Sequence, residues 1–445
     1  MTRTAIVVLA AVVTAAAHRP VWAQPATPIR LSVADAVSRG IETSHRLAEI
    51  RARQQGAQAS VRVTRLSERP SVAASAGYTR TNHVPEFSLT QGGVTRVLYP
   101  DLPDNVLTRL SFQWPIYTAG RADALERAAD AEAQAVGSDL EAARADLRLE
   151  IVRAYWAAVT GREAVRVLEV SMARVDAQLR DARQRFEVGL VPPNEISSLA
   201  AQRSREEAQL IEARNIREST VVDLRRLVGV DPEAVLDLID TLASSSPNIA
   251  ETGTVSDTVQ RALAQRPERR ALTLRLGGAE AREQAAAAAR KPTIAFGGGV
   301  DYANPNPHIF PRQDKWQPSW DLSVNVAWTL FDFGRAQAQM SEAAALASAI
   351  RERMAELDSV VAADLRQRLL ELDSSRAQVK AAAAAVASAA DARRVVADRF
   401  TAGVATSTDV LVAQVALLET ELARTRALAG VRLAEARLDR AIGRP

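Results

Sequence analysis

Three histidines beyond the first two dozen residues, His45, His83 and His308, are the side chains best suited to acid–base work near neutral pH or to holding a metal. They stand far apart, none forms a ligand-spaced pair, and the chain has no cysteine. A thiolate nucleophile, a cysteine zinc site and a disulfide framework are thereby excluded. No Gly-rich phosphate loop and no nucleophile signature is present. The run Gly297-Gly298-Gly299 falls inside an alternating segment, where glycine allows close packing or a bend. An enzyme is therefore the least favoured class: no catalytic, cofactor-binding or metal-ligating residue is expected, and no cofactor.

The elements must then carry the function. Charged residues make up 24% of the 445 positions and aromatics 4%, which points to long, surface-rich helices rather than a thick globular core. Basic and acidic side chains nearly balance, 56 against 53, and no clustered basic run indicates nucleic acid. Residues 1–23 read as a signal peptide: Arg3, an apolar run from Ala5 to Ala17, then Val21-Trp22-Ala23 as a small-residue cleavage pattern. The run is shorter than the ~20 residues a spanning helix needs, and no later stretch reads as one. Without a cysteine there is no lipid-anchored N-terminal cysteine. An exported chain of this kind enters a membrane only through strands.

An internal duplication organises the rest. Trp114-Pro-Ile-Tyr-Thr-Ala-Gly120-Arg121 recurs as Trp328-Thr-Leu-Phe-Asp-Phe-Gly334-Arg335, Arg185-Phe186 before Gly189 as Arg399-Phe400 before Gly403, and Leu227-Val228-Gly229 as Ala441-Ile442-Gly443, all at an offset of 214 residues. Upstream, Ser32 and Asp35 pair with Thr254 and Asp257, and Pro70 with Pro292, at an offset of 222. The first copy thus holds extra residues in the polar, Pro/Gly-rich stretch 81–105, as a surface loop tolerates. The first repeat is expected over 24–229: a capped helix over about 31–67, strands at about 70–80 and 106–117, a long helix at about 120–188, a tip turn, and a helix at about 194–228. A linker covers 230–252. The second repeat, 253–445, gives a helix to about 290, strands at about 292–302 and 320–331, a long helix at about 334–402, a tip turn and a helix at about 408–442.

The strand segments alternate with period two. Leu110, Phe112, Trp114 and Ile116 share one face against Arg109, Ser111 and Gln113; Leu322, Val324, Val326, Trp328 and Leu330 oppose Asp321, Ser323 and Asn325. Each segment spans about 10–12 residues, enough for a tilted membrane strand, and Tyr78, Trp114, Tyr117, Tyr302, Trp320 and Trp328 lie in them, several near the ends, where interfacial aromatics sit. Soluble antiparallel hairpins alternate too. If the strands enter lipid, four are too few to close a barrel, so several chains must pool them. The long helix, ~100 Å at 1.5 Å per residue, carries apolar residues at three- and four-residue steps: Leu147, Ile151, Tyr155, Val159. The two shorter helices sum to a similar length and stack end to end beside it. Alanine runs at 285–289 and 381–385 fit close helix packing.

These features together, each present twice, resemble the TolC-like outer-membrane efflux proteins (outer membrane factors), over residues 31–443. The resemblance implies an α+β membrane protein: a trimeric 12-stranded β-barrel, four strands per chain, continued by a long α-helical coiled-coil periplasmic tunnel, with the linker in an equatorial belt. It implies location in the bacterial outer membrane with the helical part in the periplasm. Its partners would be two further copies in a homotrimer, outer-membrane lipid, a periplasmic adaptor (membrane fusion) protein and an inner-membrane pump. It implies adaptor contact at the tips Val188, Gly189, Leu190, Ala402, Gly403 and Val404, and a possible periplasmic gate at Asp409, with Glu195 its counterpart. Where some relatives carry a second aspartate this chain has Val412, and Asp409 and Glu195 equally suit helix N-termini. The lipid-facing set is Leu110, Phe112, Trp114, Ile116, Leu322, Val324, Val326, Trp328 and Leu330. The expected function is a passive exit duct of a tripartite system exporting small molecules. Alternatives are the outer-membrane part of a type I protein-secretion system and, in another class, a soluble periplasmic coiled-coil scaffold.

Overall fold

The computed structural model describes residues 28–243 and 254–444; the expected signal peptide and the end of the linker lie outside the described residues. In chain order the elements are β1 (Ile29–Leu31), α1 (Val33–Thr43), α2 (His45–Leu66), β2 (Ser71–Arg80), β3 (Phe87–Gln91), β4 (Val94–Tyr99), β5 (Asp104–Tyr117), α3 (Arg121–Glu187), α4 (Pro193–Val228), β6 (Leu236–Leu238), α5 (Val255–Gln265), α6 (Pro267–Ala288), β7 (Thr293–Asn304), β8 (Gln317–Ala327), α7 (Arg335–Thr401) and α8 (Ser407–Ile442).

The two 67-residue helices α3 and α7 set the length of the molecule, ~100 Å each. Shorter helices stack against them. The single helix expected over 31–67 is two, broken at Ser44, whose extended backbone caps α2 through its hydroxyl; the second copy breaks at Arg266, ahead of Pro267, which disfavours helix in the preceding residue. The boxes at Ser32/Asp35 and Thr254/Asp257 form as reciprocal caps. The chain ends of α4 and α8 meet these breaks: Thr43 donates its hydroxyl to the Val228 carbonyl at 3.2 Å, and Arg266 donates to the Ala441 carbonyl at 2.9 Å.

Cores gather where three helices meet. Leu147, Ile151, Tyr155 and Val159 of α3 are buried with Leu47, Leu224, Val228 and Leu238; Val361, Leu365 and Leu372 of α7 are buried with Val259, Leu438 and Ile442. Each such side chain contributes about 1.5–3 kcal/mol relative to exposure. The linker is not a plain loop: its β6 pairs in parallel with β1, Leu31 opposite Leu238. Tyr155 clamps that pair, donating to the Leu31 carbonyl at 2.9 Å and accepting from the Asp240 N–H at 3.3 Å, while Arg162 donates to the carbonyls of Leu238 and Asp240.

Four strands form one antiparallel sheet in the order β2-β5-β7-β8, so the copies are joined through β5 and β7. The stretch 81–105, expected as a loop, holds its own hairpin, β3 with β4, turning at Gly92-Gly93.

Candidate functional site

Three places answer to the expected duct: the faces of the sheet, the tips of the helical hairpins, and the helix starts just beyond the tips.

The register puts Val72, Ala74 and Tyr78 of β2, Leu110, Phe112 and Trp114 of β5, Ile294, Phe296 and Val300 of β7 and Trp320, Leu322, Val324 and Val326 of β8 on one face. Most of it is exposed: Leu322, Val324 and Val326 are each about two-thirds accessible. Phe112 is half-buried because its ring meets Phe296 edge-on at 5.8 Å. Three of the expected lipid-facing residues are placed differently. Ile116 is the extra residue of an irregularity between Pro115 and Tyr117, and Tyr117 takes the next position opposite Ile294. Trp328 and Leu330 lie past the end of β8, which stops at Ala327. There the chain turns into α7, and the Trp328 indole donates to the Arg290 carbonyl at 3.1 Å, tying the strand end to the end of the preceding helix.

The opposite face is polar and carries a charge cluster that spacing alone did not reveal. Arg109 donates to both oxygens of Asp301, at 2.9 and 2.8 Å, and to Asp321 at 2.7 Å. Three strands and separations of about two hundred residues meet here. The Asp301 carboxylate is nearly sealed from solvent, and removing a partner from such a group is costly. Gly299 leaves room for the reach: a β-carbon there would sit 2.8 Å from the guanidinium, so any other residue would push Arg109 aside on its way across β7 to Asp321. Arg109 and Asp321 stood on the expected polar faces, which was the available sequence signal; their pairing required the strand order.

At the tips, Gly189 and Gly403 have φ of +78° and +76°, the left-handed conformation that ends helices. Their N–H groups donate to the carbonyls of Phe186 and Phe400, and those of Leu190 and Val404 to Arg185 and Arg399, at 2.8–3.0 Å. Val188, Leu190 and Val404 are 69%, 73% and 74% exposed, and Ala402 is exposed as well. The Arg185 guanidinium lies 4.8 Å from the Phe400 ring centre, so the two tips of one chain adjoin.

Asp409 is engaged in a capping box. Its carboxylate accepts from the Thr406 N–H at 2.9 Å and hydroxyl at 2.8 Å, while its own N–H donates to that hydroxyl at 3.2 Å. The Thr406 N–H and then its hydroxyl hold the carboxyl below its usual range. Glu195 is not its equivalent: α4 starts at Pro193 with no side-chain cap, and one Glu195 carboxylate oxygen is buried without a partner. Among the described residues no group of three or more histidine and acidic side chains is placed to hold a metal, and no helix is long and apolar enough to cross a membrane.

Comparison with known proteins agrees with this geometry. Protein CyaE of Bordetella pertussis is 28% identical over 311 residues, which are 68% of this chain and 60% of CyaE, less than two thirds of that protein. Outer membrane protein TolC of Vibrio cholerae is 23% identical over 400 residues, 88% of this chain and 84% of TolC. The crystal structure of outer membrane protein VceC, also from Vibrio cholerae, superposes with a TM-score of 0.75 at 21% identity, covering 92% of this chain and 96% of VceC. The sequence pattern of the family described as outer membrane efflux protein matches twice, over residues 36–230 and 258–444, so the duplicated halves each carry it and the chain belongs to the outer membrane efflux protein family.

Proposed function

We propose that three copies of this chain form a passive exit duct: a 12-stranded barrel in the outer membrane above a helical tunnel in the periplasm, coupled at its tips to an adaptor and an inner-membrane pump that drives small molecules outward. The observation that carries the reading is the open, two-faced sheet growing directly out of the ~100 Å helices. Among the described residues its edge strands β2 and β8 have no partner on their outer sides, and β2 is exposed along its whole length. Unpaired edges are not tolerated in lipid. With four antiparallel strands the two edges run in opposite directions, so β2 of a neighbour continues the antiparallel order beside β8. Two copies would give eight strands, a bore filled by side chains; three give twelve and leave a passage.

The helices support the same assembly. Beyond Leu372 no side chain of α7 is buried within one chain, although 29 further residues of helix follow. Long helices without a core of their own gain stability by packing on neighbours. The exposed apolar tip residues offer the adaptor a surface of limited size, and the duct itself catalyses nothing.

The test is extraction of the outer-membrane fraction in detergent, with the oligomer mass compared with three times ~45 kDa, the size a chain of this length has after signal removal. The extracted trimer is then placed in planar bilayers. A monomer in the soluble fraction, or a trimer that conducts nothing, overturns the reading. Leu190→Asp with Val404→Asp is expected to leave trimer and conductance intact and to abolish export in cells; undiminished export removes the adaptor contact.

A further inference from the structure

We infer that residues 305–316, between β7 and β8, form an inward-folded lid at the outer end of the duct, and that this lid sets the upper size of the solute that leaves. The inference rests on the duct reading above. All four helix connections leave the sheet at the end marked by Ser71, Tyr117, Thr293 and Ala327, so the β7–β8 connection lies at the opposite, outer end.

Burial shows where the loop goes. On the polar face, Gln113 and Asn325 near the helix end are exposed. At the outer end of the same face Asp301 and Ala303 of β7 are each only 1% exposed, and the loop's own Asn306 is as deeply buried. Arg109 covers the Asp301 carboxylate from β5, and the loop folds over the same end of the face. The Asn306 side-chain amide donates to the Gln317 carbonyl at 2.8 Å and to the Ser319 hydroxyl at 3.0 Å. Its carbonyl oxygen accepts from the His308 N–H at 2.9 Å, closing a tight turn. His308 Nδ1 then lies 3.2 Å from the Ser319 hydroxyl and 3.4 Å from the Asp301 carboxylate. Ser319 pairs with Asp301 across β7 and β8, and both side chains face the lumen.

The far half of the loop grips the other side. Trp316 stacks on Tyr302 of the apolar face with ring centres 5.0 Å apart, and the Arg312 guanidinium sits 5.3 Å from the Tyr99 ring centre. The loop straddles the sheet end, which holds the Asn306–His308 turn on the lumen side. The corresponding connection in the first copy behaves differently: Ser75, Gly77 and Thr79 stay exposed, and β3 and β4 are largely open to solvent. One loop per copy of the chain therefore folds inward, three per trimer. Twelve strands ~4.8 Å apart and tilted ~40° give a backbone diameter of about 24 Å. A further layer packed against the wall takes up about 10 Å, so lids from three sides narrow the bore to less than half.

The chain's lack of cysteine makes thiol labelling clean. Ala303→Cys places a probe beneath the lid and Asn325→Cys one on the open lumen face. In the membrane-embedded trimer a charged methanethiosulfonate reagent is expected to modify Ala303→Cys at least tenfold more slowly than Asn325→Cys. Adding Asn306→Ala with His308→Ala, which leaves the Arg109–Asp301 pair in place, should abolish that difference; Ser319→Ala, which removes the landing hydroxyl, provides a milder second variant. In bilayers the same lid variants are expected to admit larger polyethylene glycols from the outer side, with the cut-off from the helical side unchanged. Equal labelling of the two cysteines, or an unchanged outer cut-off in pores that do conduct, overturns the lid alone. A trimer that forms no pore overturns the duct reading and the lid with it.

Discussion

Replacing Tyr155 by Phe removes one oxygen from the hydrophobic core, where the side chain is fully buried. Burial pushes the phenol well above its usual pKa, so the hydroxyl remains a donor across the working pH range. It gives its proton to the Leu31 carbonyl and receives the Asp240 N–H. After substitution the Leu31 carbonyl keeps a second donor, the Ile239 N–H at 3.1 Å. The Asp240 N–H loses the hydroxyl. One lost hydrogen bond and one under-satisfied, part-buried donor together cost about 2 kcal/mol, which at ~1.4 kcal/mol per decade is roughly a 30-fold change in an opening equilibrium. The effect is local, because the hydroxyl joins the β1–β6 pair to α3 and bears on neither the barrel strands nor the tips. Amide hydrogen exchange on the detergent-solubilised protein is the right assay, since it resolves local opening where a melting temperature does not. The amides of Ile29, Ile239 and Asp240 should exchange about 30-fold faster, with those around Val175 in α3 unchanged. Wild-type exchange at those three positions would refute the clamp, and a general acceleration would show that Tyr155 supports the whole bundle instead.

Four other outcomes follow from the same geometry. Thr406→Ala keeps the Asp409 charge but breaks the capping box, so if Asp409 acts as a cap, Thr406→Ala and Asp409→Ala should fray the first turn of α8 alike, by exchange, and leave bilayer conductance unchanged; a leak seen only with Asp409→Ala would instead mark a gate. Because the folded Asp409 pKa lies below its unfolded value of ~3.9, the box stabilises above that value and is lost as pH falls through the folded pKa, so amides of the α8 first turn should lose protection only in acid below about pH 4; constant protection down to pH 2 contradicts this. Arg109→Met leaves the Asp301 carboxylate without its guanidinium partner, which is destabilising and should be seen as a trimer that dissociates at lower temperature in gel-shift assays, whereas replacing residues 85–99 by a short linker should leave trimer yield unchanged.

Much of the architecture is written locally. The offset of 214 residues, the period-two faces of β5 and β8, the unbroken runs of α3 and α7, the caps at Ser32 and Thr254, and the glycines that reverse the chain at 189 and 403 are short-range statements, governed by backbone sterics and hydrophobic periodicity. The sequence alone therefore determined a duplicated helix–strand unit with four strands too few to close. It did not determine what lies beside what. The pairing of β1 with β6 and the early end of β8 before Trp328 depend on partners far along the chain. So does the meeting of Arg109, Asp301 and Asp321 beneath a loop pinned by Asn306 and His308. Each charge reads from its own neighbourhood as one more polar residue on a polar face. Only the strand order β2-β5-β7-β8 sets β5 beside β7 as well as beside β2, and it is this long-range pairing that turns three scattered side chains into one cluster on one face of the sheet.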